Sequence, residues 1–148
     1  MTVQTSAGTI YSVSAGEPAT YDQAGFDALV YTVVGEVVDF GEIASEYETV
    51  THNPVDTRRT QKLKGNVNDG TYTAQLGKDP SDAGQLIVLD GYDGANVDVI
   101  HSHKIEFQDG TIQYRIGKIY SYTTNIGSGN QVLGAAVKIE VENKMLEI

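Results

Sequence analysis

The sequence predicts a mainly β protein, an antiparallel β-sandwich or barrel flanked by one α-helix, with a long loop between its early strands. Period-two alternation of apolar and polar residues dominates the chain and is clearest from Val132 to Glu142. Glycine-containing turns separate such segments, whereas helical spacing is confined to two short stretches. We therefore expect one domain, residues 1–148, large enough to bury roughly 70% of its unfolded surface.

The strand patterns predict two hairpins. Around Asp109-Gly110, which supplies the positive φ angles of a tight turn, two alternating segments face each other. On the first, one face carries Val97, Val99, His101, His103, Ile105 and Phe107. On the returning strand, one face carries Ile112, Tyr114, Ile116, Tyr120 and Tyr122. A second hairpin, between Leu63 and Leu76, is predicted to turn at Asn68-Asp69-Gly70.

Two short helices are expected between the strands. In the first, Thr20 and Gln23 have the spacing of a capping box, in which each side chain satisfies a free backbone N–H. The second is predicted to start with Asp79 as its N-cap and Pro80 at the first helical position. Gly91 is expected to end it.

Charge is distributed unevenly along the chain. Nine carboxylates and no basic residue precede Arg58, and then four of the ten Lys and Arg residues follow at once: Arg58, Arg59, Lys62 and Lys64. From about Phe40 to Thr57 neither strand nor helix spacing fits, which predicts a long structureless connection of a kind that is often functional. The basic cluster could form ion pairs with this acidic loop, or it could attract a second copy of the chain head to tail.

The overall composition excludes several classes of protein. A net charge of −10 argues against nucleic-acid binding, because Lys and Arg drive the binding of phosphates. It argues equally against docking on an anionic membrane. The chain has no cysteine, which excludes disulfides and thiol chemistry. No signal peptide and no apolar run of ~18 residues is visible, so we expect a soluble protein made in a cytoplasm.

Motifs that carry chemistry are scarce. His101 and His103 point the same way on a strand and could share a metal ion, but the only other histidine, His52, is no obvious third ligand. Two half-buried imidazoles are the preferred interpretation. The segment "DGYDGANVD", residues 90–98, lacks the ligand spacing of a calcium loop, and no serine lies in a nucleophile elbow. We expect neither an enzyme nor a cofactor.

Four stretches resemble the major tail tube proteins of long, non-contractile bacteriophage tails, a family also found in phage-like particles such as gene transfer agents. They are "EPATYDQAGFDAL" (17–29), "GEVVDFGEIASEYETVTHNPVDTRRTQKLKG" (35–65), "LGKDPSDAGQ" (76–85) and "GKIYSYTTNIGSGNQVLGAAVKIEVE" (117–142). The loop stretch ending in "THNP…RRT…KLKG" is the most specific. It favours a siphophage-type tail or a gene transfer agent over the secretion tubes and contractile particles that share the fold.

The resemblance implies the tail tube fold, in which six copies form a ring, their inner sheets join into a continuous barrel, and the rings stack into a hollow tube. It implies as partners further copies of the chain, a tape measure protein, a tail-tip or baseplate initiator and a tail terminator. DNA would pass through the lumen without specific binding, and no membrane would be involved. The protein would be made and assembled in the host bacterial cytoplasm and become part of a virion tail or phage-like particle. An additional C-terminal domain, which some such proteins carry, is expected to be absent.

Interface and lumen residues follow from the same resemblance as hypotheses. The long loop would order against neighbouring subunits, and the expected interface residues are Glu42, Glu46, Glu48, His52, Asn53, Pro54, Arg58, Arg59, Lys62 and Lys64. An acidic or neutral lumen would repel DNA and let it slide. The candidate lumen residues, expected on the inner-sheet strands opposite their apolar faces, are Asp98, Glu106, Glu140 and Glu142. Two alternatives remain: a monomeric tail adaptor or terminator of similar fold, and a metal-dependent enzyme using His101 and His103.

Overall fold

A computed structural model describes residues 3–148. Within this range the chain forms ten strands and two helices. In chain order they are β1 (Ile10–Ser14), α1 (Gln23–Asp27), β2 (Thr32–Val33), β3 (Val37–Asp39), β4 (Glu46–His52), β5 (Gln61–Asn68), β6 (Thr71–Gly77), α2 (Ala83–Asp93), β7 (His101–Glu106), β8 (Ile112–Asn125), β9 (Gly134–Val141) and β10 (Leu146–Glu147).

One curled antiparallel sheet makes up the body of the protein. Its strand order is β2-β1-β7-β8-β9-β6-β3, and β10 pairs with β8 beside this path. The two edge strands, β2 and β3, are consecutive in the chain and are joined by Val34–Glu36 alone. The sheet therefore closes on itself through this short link. The mainly β, antiparallel fold class with one packed helix is confirmed.

The interior of the curled sheet follows the alternation seen in the sequence. On β9, Ala135, Val137 and Ile139 are buried, and their partners on β6 include Ala74 and Tyr72. Both faces of the sheet have a covered region, because Phe26 of α1 stacks on Tyr114 of β8 on the opposite side, with ring centroids 4.6 Å apart. Burial of one face fixes the register, since a shift by one residue would expose every apolar side chain.

A β-bulge changes the face of the second half of β8. Ile119 pairs with Ile139 and Ser121 pairs with Lys138, which leaves Tyr120 as an extra residue. The predicted common face is therefore wrong beyond Ile116: Tyr114 and Ile116 lie in one cluster, Tyr122 packs against the other, and Tyr120 is exposed. The bulge shifts the phase of the alternation, but the shift is hidden in the sequence because both faces of β8 carry apolar side chains here.

Both helices begin later than the sequence predicts. The N-cap of α2 is Asp82, whose carboxylate accepts from Gln85 N at 3.0 Å, whereas Asp79 and Pro80 precede the helix. The N-cap of α1 is Asp22, which also accepts from Thr20 Oγ1 at 2.8 Å. In each case the aspartate nearest the first helical turn satisfies the free backbone N–H. No helix within residues 3–148 is long and apolar enough to cross a membrane.

One predicted hairpin is confirmed and the other is wrong. The Asp109-Gly110 turn joins β7 to β8, with Gly110 at a φ of 92°. At Asn68-Asp69-Gly70, however, the chain changes sheets: β5 pairs with β4, while β6 pairs with β9 and β3. The segment from Phe40 to Thr57 is also not structureless, because it contains β4.

Candidate subunit interface

Strands β4 and β5, with the residues between them, form a two-stranded ribbon that stands apart from the main sheet. We call residues 46–68 the ribbon and residues 53–60, which connect its strands, the tip. Every residue of the two strands except the half-buried Gly65 is exposed. An isolated two-stranded ribbon is only marginally stable in water, and this one has little packing of its own.

The ribbon has two chemically different faces, because residues paired across the two strands share a face. One face carries Thr49 and Thr51 opposite Lys64 and Lys62, and the Lys64 ammonium lies 4.8 Å from the centroid of the Tyr47 ring. The other face carries a cross-strand pair of Val50 and Leu63, which are 49% and 57% exposed. An apolar pair in this position is stabilised only when a further surface covers it.

The charges of the ribbon are separated along its length. Glu46, paired with Asn68, marks the end nearest the body, whereas Arg58 and Arg59 lie in the tip. Arg58 has a φ of 55°, a conformation uncommon for residues with a side chain. Among residues 3–148, one ion pair has its charged atoms within 4.0 Å, namely Lys138–Glu140 at 3.4 Å. The basic cluster therefore forms no ion pair with the acidic segment before it.

A groove with acidic walls lies where the ribbon leaves the body, and we call it the root groove. Its volume is about 540 Å³, and Glu46 and Glu48 both line it. The remaining lining residues are Ala44, Tyr47, Thr49, Asn68, Gly70 and Thr71. The tip thus carries Arg58 and Arg59 together with the single carboxylate Asp56, whereas two carboxylates line the open groove at the root.

The expected interface residues fall into one continuous arm. Glu42 is exposed just before β4, Glu46, Glu48 and His52 lie on β4, Asn53, Pro54, Arg58 and Arg59 lie in the tip, and Lys62 and Lys64 lie on β5. The structure thus groups nine of these ten residues on the ribbon, with Glu42 just before it, and their role in an interface stays a prediction. The sequence interpretation missed the exposed apolar side chains Tyr47, Val50, Leu63 and Val67. The Thr, Val and Tyr content of "YETVTH" is the signal that could have revealed β4.

The four candidate lumen residues are less uniform than expected. Glu106 and Glu140 lie on strands, but Asp98 lies in the turn between α2 and β7, and Glu142 follows the end of β9. Glu140 is engaged within the subunit, since it accepts from the Thr71 hydroxyl and pairs with Lys138. The assumption that all four project from strands is therefore wrong for Asp98 and Glu142.

His101 and His103 are fully buried, whereas the sequence predicts half-buried imidazoles. Their hydrogen-bonded ring nitrogens all have partners within the protein. His103 Nε2 donates to Gly117 O at 3.1 Å, so His103 Nδ1 is free to accept from the Tyr11 hydroxyl at 2.7 Å. His101 Nδ1 donates to Val99 O at 2.9 Å. Burial lowers the pKa of His103 to about 4. Both imidazoles are core residues because neither is exposed. Residues 3–148 contain no group of three or more His, Cys, Asp or Glu placed to hold a metal ion.

Comparison with solved structures identifies the fold. No model of a known protein family matches the chain, and no curated protein matches it in sequence. A chain in the cryo-EM structure of the anti-feeding prophage baseplate superposes with a TM-score of 0.74, at 11% identity over 100% of this chain and 97% of that one. A chain in the sheath/tube terminator structure of the extracellular contractile injection system PVC has a TM-score of 0.70, at 11% identity over 100% and 98%.

A third similar structure comes from a gene transfer agent. A chain in the tail of the empty particle, computed with helical refinement and C6 symmetry, has a TM-score of 0.66 at 13% identity, covering 97% of this chain and 98% of that one. At these identities the likeness concerns the fold alone. It extends over nearly the whole length of both chains in each comparison, so this chain has the fold of components found in phage-like tails and injection systems.

Proposed function

We propose that this protein is a non-enzymatic structural subunit that polymerises with itself into the hollow tube of a phage tail or phage-like particle. The observation that carries the proposal is the ribbon, which lacks packing partners on both faces within the described part of its own subunit. An exposed arm with apolar pairs and separated charges is expected to be covered by another molecule. The fold, shared with components of such particles, supports further copies of the chain as that molecule.

The charge separation favours a head-to-tail contact between copies. The basic tip of one ribbon is complementary to the acidic root groove of the next, and Glu46 and Glu48 are the carboxylates that line that groove. A head-to-tail contact can close into a ring or continue as a helical filament. In a tube of stacked rings, the contacts within a ring close, whereas the contacts between rings continue along the tube. Exposed ion pairs contribute only about 0–1 kcal/mol each, so we expect them to set register while Val50 and Leu63 contribute apolar burial.

Rings of six are the proposed symmetry. The gene transfer agent tail was computed with C6 symmetry, and the anti-feeding prophage baseplate was symmetrised six-fold. In such a tube the proposed partners are a tape measure protein inside, an initiator at the tip or baseplate and a terminator at the far end. DNA would slide through a lumen to which Glu106 and Glu140 contribute charge. The subunit would be made in the host cytoplasm and end in the particle.

A tail of the non-contractile type is our specific proposal within this group. It rests on the resemblance of residues 35–65 to siphophage-type tube proteins and on the likeness to a gene transfer agent tail. Superposition on contractile systems is equally complete, so the fold by itself does not separate the two types. The discriminating property is whether the assembled tube binds a contractile sheath.

A terminator or cap is the second candidate function. It is favoured by the likeness to a chain in the PVC sheath/tube terminator structure and to a chain in the anti-feeding prophage tube-terminating cap structure, at a TM-score of 0.61. A terminator would close one ring and stop, whereas a tube protein would continue to add rings. The two functions therefore differ in the length of the assembly that the purified protein forms.

Electron microscopy of the purified protein, at low concentration and again after concentration and long incubation, tests the proposal. Hollow tubes of stacked six-fold rings are the expected result. Single rings that never stack would indicate that the protein is a terminator and not a tube protein. Persistent monomers that also fail to extend a matching tail-tip complex would contradict self-assembly and leave a monomeric adaptor.

A further inference from the structure

A second groove lies beside the root of the ribbon, at the open mouth of the curled sheet, and we call it the mouth groove. Its volume is about 470 Å³. Ile43 lines the mouth groove and Ala44 lines the root groove, so the two are adjacent. Its walls are mixed: the apolar lining residues are Val37, Val38, Phe40, Ile43, Ile105, Phe107 and Met145, and the others are Ser6, Thr9, Asp39, Gly41, Gln113 and Arg115.

Arg115 is the basic residue of this groove, and its charge is incompletely paired. The side chain is 6% exposed, and Nη2 donates to Gln113 Oε1 at 2.8 Å. Nη1 is buried and has no hydrogen-bond partner among the described residues, 3–148. The one carboxylate lining the groove, Asp39, is exposed, accepts from Gly41 N and forms no ion pair with Arg115. The carboxylate of Glu147 interacts favourably with Arg115 through Gln113, whose Nε2 donates to Glu147 Oε1 at 3.0 Å, but it lies beyond ion-pair distance. A buried guanidinium without a directly paired carboxylate is costly, so a carboxylate brought to it would be bound strongly.

The tip of the ribbon carries the complementary chemistry. Val55 is 93% exposed, the most exposed large apolar side chain among the described residues, and the exposed Asp56 follows it directly. Pro54 precedes both and restricts the backbone of the turn. The dipeptide thus offers one apolar side chain and one carboxylate, the two groups that a groove with apolar side chains and an incompletely paired arginine would accept.

The tip cannot readily occupy the mouth groove of its own subunit. Ile43 lies at the root, three positions before Glu46, whereas the tip begins beyond the seven residues of β4. At ~3.3 Å per residue the strand places the tip ~23 Å from the root. The ribbon would have to fold back on itself, breaking its own strand pairing, to bring Val55 to this groove.

We propose that the mouth groove is the receptor for Val55 and Asp56 of a second copy, with Val55 in its apolar part and the Asp56 carboxylate on Arg115. The inference rests on the proposed self-assembly and specifies its contact. It places the basic residues Arg58 and Arg59 of the same tip near the adjacent root groove, where Glu46 and Glu48 supply the opposite charge. One tip thereby binds in two neighbouring grooves, which fixes both how deeply the tip inserts and the register of the contact.

Engineered disulfide formation tests the contact directly, because the chain has no cysteine of its own. The test variant carries Val55→Cys together with Val38→Cys, an exposed residue of the mouth groove. The control variant carries Val55→Cys together with Leu86→Cys, an exposed apolar residue on α2. After mild oxidation, we expect a ladder of cross-linked oligomers on a non-reducing gel from the test variant, and at least 10-fold less cross-linking from the control.

The outcomes separate this inference from the proposed function. Tubes without the Val55–Val38 cross-link, or with preferential cross-linking to residue 86, overturn the inference and leave the tube protein intact. Intermolecular cross-links without tubes support the contact and contradict the tube. A cross-link found only within monomers shows that the ribbon folds back and overturns the inference.

A charge variant supplies an independent measurement at the exposed tip, where folding is not at risk. Asp56→Asn is expected to raise the minimum concentration for assembly at least 10-fold, because the carboxylate no longer reaches Arg115. Asp93→Asn, at an exposed carboxylate of α2, is the matched control and should leave it within 2-fold. Equal effects of the two changes would show that Asp56 acts only through the net charge of the protein, and would overturn its assignment to Arg115.

Discussion

The side-chain amide of Gln85 donates to the backbone carbonyl of Gly35 at 3.0 Å and to that of Gly77 at 2.9 Å. Gly35 lies in the short link between the two edge strands, and Gly77 ends β6. The Gln85 carbonyl oxygen also accepts from Asp79 N at 2.9 Å. One buried side chain of α2 therefore holds together the segments at which the curled sheet closes. Within the "KDPSDAGQ" stretch, Gln85 thus acts as a clamp between α2, the link and the end of β6.

Replacing Gln85 by alanine should destabilise the monomer by about 3 kcal/mol, because three hydrogen bonds of about 1 kcal/mol each are lost. Their backbone partners would be left without a donor or acceptor near a side chain that is 4% exposed. Chemical denaturation at neutral pH measures the change. Gln61→Ala, at an exposed position of the ribbon, is the matched control and should stay within about 0.5 kcal/mol. Similar values for the two variants would contradict the clamp.

The contact between α2 and the link also leaves no space for a side chain at Gly84. A Cβ added at Gly84 would lie 2.2 Å from Val33 O and 2.6 Å from Val34 Cα, which are backbone atoms that cannot rotate away. We expect Gly84→Ala to cost about 1–3 kcal/mol in unfolding free energy despite the better helix propensity of alanine. Gly129→Ala, where a Cβ would meet nothing within 4 Å, should be nearly neutral. A neutral Gly84→Ala would show that the helix is not packed against the link.

The sequence predicts the body of the fold well because burial of one strand face leaves a record in the alternation. β9 follows its pattern, and the β7–β8 hairpin follows its own from His101 to Ile116. The pairing of β5 is not recorded in the same way. The Asn68-Asp69-Gly70 turn has hairpin chemistry, but turn chemistry is local, whereas the choice of partner strand depends on contacts distant in the chain.

The ribbon was the least predictable element for a related physical reason. Neither face of β4 is buried within the subunit, so no apolar alternation marks it as a strand. The charges around Arg58 were the sequence signal for this region, and within residues 3–148 the cluster forms no ion pair; its role in an interface stays a prediction. The mouth groove was not visible in the sequence at all, since Val38, Arg115 and Met145 come from segments far apart in the chain.

Stability should decrease in mild acid because of His103. Burial lowers the pKa of this imidazole from its usual 6.5 to about 4, so below pH 6.5 the unfolded chain binds a proton that the folded chain does not. Between pH 6.5 and 4 this costs about 3 kcal/mol of unfolding free energy, at about 1.4 kcal/mol per pH unit. His103→Gln, which can still donate to Gly117 O, should have lower stability at pH 7 and a flatter pH profile in this window.

The matched control for His103 is His52, which is exposed on the ribbon. His52→Gln should retain the full acid-dependent loss, measured as unfolding free energy at pH 7, 5.5 and 4.5. The carboxylates of Asp22 and Asp79, whose pKa values are lowered by hydrogen bonds, act below this window and are common to all variants. If His103→Gln and the unaltered protein lose stability in parallel from pH 6.5 to 4, another group is responsible.

Reversing the charges of the tip should prevent assembly without unfolding the subunit. Arg58→Glu with Arg59→Glu replaces attraction to the root groove by repulsion from Glu46 and Glu48, so the minimum concentration for tube formation should rise at least about 10-fold. All four residues are exposed, so the unfolding curve of the monomer should not change. Adding Glu46→Lys and Glu48→Lys to the same chain restores opposite charges and should restore tubes. Normal tubes from the first variant, or no recovery in the second, would show that these charges do not meet across the interface.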